Sequence, residues 1–251
     1  MLLHHTVSGS GPPLVMVHST ACDSRQWNAQ REALAGECTV ITPDLRGYGR
    51  SALSAGPYSD AGDVLHLMDH LGLCAVTLVG SSGGGRVALQ VATAAPDRVR
   101  SLILLCAAAD VVEPTPALEA FAEREEALLA AGRLDEATEL NADTWLGPEA
   151  DDAADAARAL LREMQAHAFR VQLAAGDDIH EEPSEVDLSR ITAPTTVVAG
   201  LHDLDFFQIT ARHLATTLAD ASLIELPWAG HLPNLERPAD ITALIAGRIV
   251  A

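Results

Sequence analysis

A short glycine-rich turn limits the folds open to this chain more than any other feature of its sequence. Gly80-Ser81-Ser82-Gly83-Gly84-Gly85 follows an apolar run, Val76–Val79, and precedes a helical run, Arg86–Ala95. A buried strand that turns sharply into a helix is the repeating unit of a parallel α/β sheet. The segment matches G-x-S-x-G, in which the small residues on either side of the central serine let the strand and the helix approach closely.

Such a turn lifts the Ser82 hydroxyl out of the sheet and places it beside a helix N-terminus, whose N–H groups favour developing negative charge. Ser82 is therefore predicted to be a nucleophile. The alternatives are a structural glycine-rich turn and a nucleotide-binding loop, but the G-x-G-x-x-G spacing of dinucleotide sites is absent. Ser81 is the other candidate nucleophile, although Val79 and Gly83 at its flanks break the pattern.

The rest of the chain alternates short apolar runs with longer amphipathic ones, which predicts a mostly parallel sheet flanked by helices. A helix is expected over Leu65–Leu71, and a closing helix over Pro238–Val250. The predicted strands are Leu14–Val17, Thr39–Thr42, Val76–Val79, Ser101–Cys106, Thr195–Ala199 and Ser222–Leu226.

Residues 111–183 interrupt this alternation. They are rich in Ala, Glu, Asp, Leu and Arg and contain no convincing strand. Three helices are predicted there, Thr115–Ala131, Leu134–Trp145 and Ala150–Leu173, separated by Gly132 and by Gly147-Pro148. We therefore expect one domain, with a core of residues 1–110 and 184–251 and a small helical cap inserted between two strands.

A serine nucleophile needs a base and an acid that orients the base. Of the ten histidines, His231 is the best candidate, because it lies in a loop between the last strand and the last helix. Asp203 follows a predicted strand at the carboxyl edge of the sheet, where catalytic groups of α/β proteins collect. Asp205, two residues further on, remains the alternative acid.

Composition excludes several classes of chemistry. All 16 basic residues are arginine, so neither a lysine Schiff base nor a Walker phosphate loop is available. The net charge of −19 disfavours nucleic acid and anionic membrane as partners. The four cysteines show no metal-ligand spacing, and no leader or membrane-spanning run is visible, so a cytoplasmic location is expected.

Four segments together make the chain resemble an α/β-hydrolase of the esterase, lactonase and cofactor-free haloperoxidase type. They are Val15–Ser19, Pro43–Ser51, the turn around Ser82, and Ala229–Pro233. The resemblance implies the α/β-hydrolase fold, no cofactor and no metal.

The resemblance also implies roles for individual residues: Ser82 as nucleophile, His231 as base, Asp203 as acid, and an oxyanion hole made by the backbone N–H groups of Thr20 and Gly83. His18, in the first segment, is expected to brace neighbouring loops. Relatives usually have glycine where this chain has Ser19, and commonly an acidic residue where it has Leu201. Because glycine tolerates backbone conformations that serine does not, a change in the loop at Ser19 is expected.

The expected reaction is hydrolysis of a small to medium carboxylic ester or lactone. The alternatives with the same triad are a C–C bond hydrolase, an enol-lactonase and a perhydrolase; a non-hydrolytic binding protein or a cyclase would use only the scaffold. A small-molecule substrate is the expected partner, with a homodimer left open. The substrate-binding candidates, named from their place in the cap or beside the acid and base, are Trp145, Leu204, Phe206 and Leu232.

Overall fold

The computed structural model describes residues 1–148, 154–176 and 178–249, and in them the predicted α/β-hydrolase fold is confirmed. A seven-stranded sheet runs through the centre in the order β1-β3-β2-β5-β6-β8-β9. All neighbouring pairs are parallel except β1 with β3. The strands of this sheet are β1 (His5–Ser8), β2 (Pro13–Val17), β3 (Thr39–Pro43), β5 (Val76–Ser81), β6 (Val99–Leu105), β8 (Thr195–Gly200) and β9 (Ala221–Leu226). A separate pair consists of β4 (Gly56–Tyr58) and β7 (Ile179–Glu181).

Nine α-helices accompany the strands in the described part of the chain. They are α1 (Asn28–Leu34), α2 (Asp60–His70), α3 (Gly83–Ala94), α4 (Pro116–Ala130), α5 (Leu134–Trp145), α6 (Ala154–Leu173), α7 (Asp205–Thr217), α8 (Pro233–Glu236) and α9 (Pro238–Ala246). The closing helix therefore ends before its predicted limit, and Val250 lies outside the described residues.

Two apolar layers cover the sheet, because successive side chains of a strand point to opposite faces. Strand β2 shows the alternation: Val15 and Val17 pack with α2, α3 and α7, whereas Leu14 and Met16 pack with α1 and α9. Both faces are buried, which explains why the central strands read as continuous apolar runs.

Strand β1 was not predicted. It is four residues long and half-exposed, and its sequence His-Thr-Val-Ser lacks an apolar run. It pairs antiparallel with β3 at the edge of the sheet, from His5 opposite Pro43 to Ser8 opposite Val40. An edge strand is held mainly by backbone hydrogen bonds, so its sequence pattern is weak.

Helices α4, α5 and α6 lie between β6 and β8, where the cap was predicted. Helix α5 has the predicted bounds. The third predicted helix begins at residue 150, but residues 150–153 lie outside the described residues. The expectation that this region has no strand is wrong, because β7 pairs in parallel with β4 of the core. Three residues are too few to show a strand periodicity.

The glycine at the end of β5 has no room for a side chain. A Cβ on Gly80 would lie 2.3 Å from the Gly84 carbonyl oxygen and 2.7 Å from the Gly85 Cα. Since both atoms are backbone, Gly80→Ala should destabilise the fold by about 1–3 kcal/mol or more. The matched control is Gly36→Ala, where nothing lies within 4 Å and φ is not positive. It should change stability by less than about 1 kcal/mol. Urea unfolding measures both, and similar midpoints for the two variants would contradict the argument.

Candidate active site

Ser82 occupies the turn between β5 and α3 in a strained backbone conformation, with φ 53° and ψ −119°. The surrounding backbone maintains this conformation: the Ser82 N–H donates to the Leu105 carbonyl at 3.0 Å, and the Ser82 carbonyl accepts from the Ala108 N–H at 2.9 Å. Strain of this kind persists only where neighbouring contacts enforce it. The turn therefore presents the hydroxyl at the carboxyl edge of the sheet.

Ser81 points the other way. It is fully buried, and its Oγ accepts a hydrogen bond from Gln26 Nε2 at 3.0 Å. Gln26 Nε2 also donates to Asn234 Oδ1 at 3.0 Å, so the Ser81 hydroxyl belongs to a buried network that joins the Gln26 segment to α8. This placement favours Ser82 over Ser81 as the reactive serine.

Three polar side chains that are distant in sequence form one hydrogen-bonded chain. His231 Nε2 lies 2.7 Å from Ser82 Oγ, and His231 Nδ1 lies 2.6 Å from Asp203 Oδ2. All three residues are buried, with at most 7% of their surface exposed. An ionised carboxylate only accepts hydrogen bonds, so the proton belongs on Nδ1 and the free lone pair of Nε2 faces the Ser82 hydroxyl.

Asp203 and Asp205, the two candidates for the acid, have different hydrogen-bond partners. Asp203 Oδ2 faces His231, and Asp203 Oδ1 accepts from the Leu204 N–H at 2.7 Å. Asp205 begins α7, where its Oδ1 accepts from Thr115 Oγ1 at 2.6 Å and from the Phe206 N–H at 2.9 Å. Asp205 thus connects the core to the start of α4, and the geometry favours Asp203 as the acid.

A buried carboxylate holds the loop that carries His231, and sequence reasoning did not identify it. Glu236 is fully buried in α8, and its oxygens accept from the N–H groups of Gly230 at 3.0 Å and Leu232 at 3.3 Å. The His231 N–H donates to the Trp145 carbonyl at 3.0 Å. Burial raises the pKa of Glu236 although these amides oppose the shift. The loop is therefore fixed on both sides of the imidazole.

Glu236→Gln is expected to lower the free energy of unfolding by about 1–3 kcal/mol, because an amide NH2 cannot accept the hydrogen bonds that the second carboxylate oxygen accepts. The control is Glu225→Gln, which changes a partly exposed carboxylate paired with Arg212. Its cost should stay below about 1 kcal/mol. Chemical denaturation of both variants measures the difference, and equal stabilities would argue against a role for Glu236 in holding the loop.

Two residues that line the cavity beside Ser82 have backbone N–H groups without an acceptor among the described residues. The amides of Thr20 and Gly83 donate to no acceptor within residues 1–148, 154–176 and 178–249. The loops that carry them are in close contact, since a Cβ on Gly83 would lie 2.5 Å from Thr20 Cγ2. Free amides beside a nucleophile suit the stabilisation of an oxyanion, as the resemblance implies.

The loop before Thr20 accommodates serine at position 19 without strain. Among the described non-glycine residues, Ser82 and Cys106 have positive φ, and Ser19 does not. The Ser19 N–H donates to Gln26 Oε1 at 2.8 Å, and its hydroxyl accepts from the Ala21 N–H at 3.2 Å. Glycine is therefore not needed here, and the serine hydroxyl itself stabilises the loop.

His18 braces the same loop. Its Nδ1 donates to the Ser19 carbonyl at 2.8 Å, and its Nε2 accepts from the Leu45 N–H at 2.9 Å, which defines a neutral tautomer. Burial lowers the pKa of His18 and so supports the neutral form. Both ring nitrogens are occupied by backbone groups, which leaves neither free for proton transfer.

A cavity of about 340 Å³ opens over Ser82 and His231. Trp145 lines it, with its ring 4.6 Å from the His231 ring. The other predicted substrate-binding residues, Leu204, Phe206 and Leu232, pack around the site but do not line this cavity. Phe207 lines it instead, with its ring 4.1 Å from the imidazole.

Phe206, predicted from its proximity in sequence to Asp203, and Phe207 differ in their position relative to the cavity for a physical reason. Successive residues of a helix point about 100° apart, so only one of Phe206 and Phe207 can face His231. Leu232 follows His231 directly, but its side chain is fully buried. Phe207 could have been preferred only with knowledge of how α7 is rotated against the cavity.

Cys106 is a further neighbour of the site. One ligand atom from each of Cys106, Asp203 and His231 lies within 4.8 Å of the others, a grouping that could be considered for a metal. Burial raises the pKa of the Cys106 thiol well above its usual range, whereas metal binding requires the thiolate. Nδ1 of His231 and the Asp203 carboxylate already bind each other. These donors therefore suit a hydrogen-bonded acid and base better than a metal site.

Comparisons with known proteins agree with this architecture. Residues 14–244 match the sequence profile of the alpha/beta hydrolase family. A pimeloyl-acyl-carrier-protein methyl ester esterase of Chromobacterium violaceum is 33% identical over 246 residues, which is 95% of this chain and 94% of that protein. An acetyltransferase component of an acetoin cleaving system from Pseudomonas putida is 45% identical over 101 residues, but the match spans only 27% of its length.

Solved structures show the same fold over nearly the whole chain. An esterase from Thermogutta terrifontis superposes with a TM-score of 0.81 at 30% identity and covers 98% of this chain and 92% of its own. An enol-lactonase from Burkholderia xenovorans has a TM-score of 0.79 at 26% identity, with 98% and 95% covered. Fold and relatives together define the α/β-hydrolase scaffold. The chain belongs to the alpha/beta hydrolase family.

Within the described residues, no helix has both the length and the apolar character that crossing a bilayer requires.

Proposed function

We propose that the protein is a serine hydrolase that cleaves a small to medium carboxylic ester or lactone through an acyl-enzyme. The observation that carries the proposal is the continuous hydrogen-bonded chain from Ser82 Oγ through His231 to Asp203, with separations of 2.7 and 2.6 Å. These contacts lie within the range that proton transfer from a nucleophile to its base requires.

In the first half-reaction, Ser82 Oγ attacks the carbonyl carbon of the substrate while His231 Nε2 takes the hydroxyl proton. Asp203 stabilises the imidazolium that forms and keeps the ring oriented. The carbonyl oxygen becomes an oxyanion, which the Thr20 and Gly83 N–H groups stabilise. When the tetrahedral intermediate collapses, the proton on Nε2 passes to the leaving alkoxide, and the alcohol departs.

In the second half-reaction, water enters and His231 Nε2 takes a proton from it while the water oxygen attacks the acyl carbon. Collapse breaks the bond to Ser82 Oγ, which recovers its proton from the imidazolium. The products are a carboxylic acid and an alcohol, or a hydroxy acid when the substrate is a lactone. One water molecule is consumed for each substrate molecule, and Ser82, His231 and Asp203 return to their starting states.

The size and lining of the cavity support a compact substrate. Its volume of about 340 Å³ is at the lower end of the range for small-molecule sites. Aromatic residues from two helices, Trp145 and Phe207, flank the base, and Phe121 contacts Trp145 with ring centroids 4.5 Å apart. The relatives named a methyl ester esterase, an esterase and an enol-lactonase favour the same bond types.

A fluorophosphonate probe tests the proposal directly, because it forms a covalent bond only with an activated serine. The expected result is labelling at Ser82, located by peptide mass spectrometry, together with turnover of short-chain esters and lactones in a substrate panel. Absence of labelling and of turnover would instead favour a binding protein or a cyclase on this scaffold.

A further inference from the structure

The cavity over Ser82 contains an arginine that the proposed reaction does not use. Arg86 lines the cavity and is half-buried, in the first turn of α3. It lies four residues beyond Ser82 in the chain, and both residues line the same cavity. Helical side chains also lean towards the N-terminus of their helix, which directs Arg86 back towards the nucleophile.

Among the described residues, no carboxylate forms an ion pair with Arg86. In the described part of the chain it forms no ion pair within 4.0 Å, and its Nε is buried without a hydrogen-bond partner. An unpartnered buried guanidinium N–H is costly, and a chain with net charge −19 has abundant carboxylates to pair with it. Because Arg86 also lines the cavity, an anionic group that enters the cavity is a candidate for its missing ion-pair partner.

The carboxyl group of Asp60 interacts electrostatically with Arg86, but it is a poor substitute for such a partner. Asp60 lies at the start of α2, and the positive charge of Arg86 lowers its pKa. Burial and the negative charges of Glu181 and Asp63 outweigh this effect and raise the pKa of Asp60 to about 7. At neutral pH its carboxyl is thus only partly ionised. Asp60 does not line the cavity, so the side of Arg86 that faces the cavity remains uncompensated.

Helix α6 presents a second unpartnered polar group to the same cavity. Gln165 is buried, with 5% of its surface exposed, and its Oε1 accepts no hydrogen bond from the described residues. A primary amide can turn over to present either its oxygen or its NH2 group, so it can bind a carboxylate oxygen or a hydroxyl. Tyr48 and Gln172 line the cavity as well and interact with each other.

The one carboxylate among the lining residues is already engaged. Glu125 Oε1 accepts from Asn141 Nδ2, and Asn141 Oδ1 accepts from Trp145 Nε1 at 2.6 Å. Burial raises the pKa of Glu125, which lowers its charge at a given pH. Glu125 is therefore bonded within a network that ends at Trp145, whereas Arg86 and Gln165 each line the cavity with a polar atom that has no partner among the described residues.

We propose that the substrate is an ester or lactone that also carries a free carboxylate, and that Arg86 and Gln165 bind this carboxylate. The inference rests on the proposed function, because it assigns the substrate class of the same site. Guanidinium and carboxylate form charge-assisted, bidentate hydrogen bonds that require desolvated and correctly placed donors. A glutarate monoester, which has three carbon atoms between its two carbonyl groups, is a compact molecule of this class and suits a cavity of about 340 Å³.

Monoethyl glutarate is the probe, and ethyl 5-amino-5-oxopentanoate is its neutral match, with an amide in place of the carboxylate. The measured quantity is the ratio of kcat/KM for the charged ester to kcat/KM for the neutral ester, from ethanol release. The wild-type ratio should exceed about 10, and Arg86→Gln should lower the ratio by roughly 10- to 100-fold. Arg86→Lys should retain part of it, because charge remains but the fork geometry is lost.

Arg100→Gln is the matched control, since Arg100 is exposed on β6 and does not line the cavity. Its ratio should equal that of the wild type. Gln165→Leu changes the other proposed partner of the carboxylate and should also lower the ratio. This second variant keeps the proposal testable if Arg86→Gln does not fold. A wild-type ratio near one, or an equal ratio in wild type and both cavity variants, would overturn the carboxylate proposal.

Glutarate binding, measured by isothermal titration calorimetry, separates this inference from the proposed function. If the fluorophosphonate probe does not label the wild type and no ester or lactone of the panel is hydrolysed, but glutarate binds in a manner that Arg86→Gln abolishes, the hydrolase proposal fails and the carboxylate site stands. If the wild type hydrolyses the neutral ester through Ser82 yet neither prefers the charged ester nor binds glutarate, only the carboxylate site is overturned.

Discussion

Ser82→Ala should reduce kcat for an activated ester such as 4-nitrophenyl butyrate by about 10⁵- to 10⁶-fold. The change removes one oxygen atom, which is both the attacking atom and the donor to His231 Nε2. Without it no acyl-enzyme can form, and the residual rate reflects only binding and the oxyanion donors. Steady-state kinetics and loss of fluorophosphonate labelling measure the effect.

The matched control is Ser81→Ala, which removes the neighbouring hydroxyl. Ser81 Oγ contacts Gln26 rather than His231, so the variant should retain kcat within about tenfold and lose about 1 kcal/mol of stability from the buried hydrogen bond. Full activity in Ser82→Ala, or a comparable collapse of kcat in a stably folded Ser81→Ala, would exclude Ser82 as the nucleophile.

Asp203→Asn should lower kcat by about 10⁴-fold while leaving the overall structure intact. The amide NH2 can donate to His231 Nδ1, which would move the imidazole proton to Nε2. That tautomer cannot accept the Ser82 proton. The acyl-enzyme would then form very slowly, and a burst experiment with a chromogenic ester would report the loss at the acylation step.

Asp205→Asn is its control, two residues away in sequence. Asp205 contacts Thr115 and its own helix N-terminus, so the variant should keep kcat within about threefold and lose about 0.5–1 kcal/mol of stability. If Asp205→Asn were the variant with the large kinetic loss, the assignment of the acid would have to be exchanged.

Local sequence patterns were sufficient for much of the fold. The strand, turn and helix around Ser82 follow from an apolar run, a set of small residues and an amphipathic run, all within about twenty residues. Helix α5 was predicted with its observed bounds because Gly132 and Gly147-Pro148 interrupt the chain on either side. Signals of this kind are local, so they can be recognised in the sequence without knowledge of the tertiary structure.

The errors have a common origin. Strands β1 and β7 are four and three residues long, and their partners are distant in sequence, so no periodicity marks them. Leu204, Phe206 and Leu232 were selected because they are close in sequence to the acid and the base. The cavity wall depends instead on helix rotation, which places Phe207 beside the imidazole.

Short stretches of sequence were enough to predict the turn at Ser82, the alternation of strands and helices, and the order in which candidate nucleophile, acid and base occur. These are consequences of backbone conformation and burial over short windows. Three further findings come from contacts in the folded protein: Asp203 rather than Asp205 faces His231, Glu236 holds the histidine loop, and Arg86 lines the cavity without a carboxylate partner among the described residues. Each of these findings depends on contacts between residues far apart in the chain, because hydrogen bonds and charge pairs form between groups that are close in space, whatever their separation in sequence.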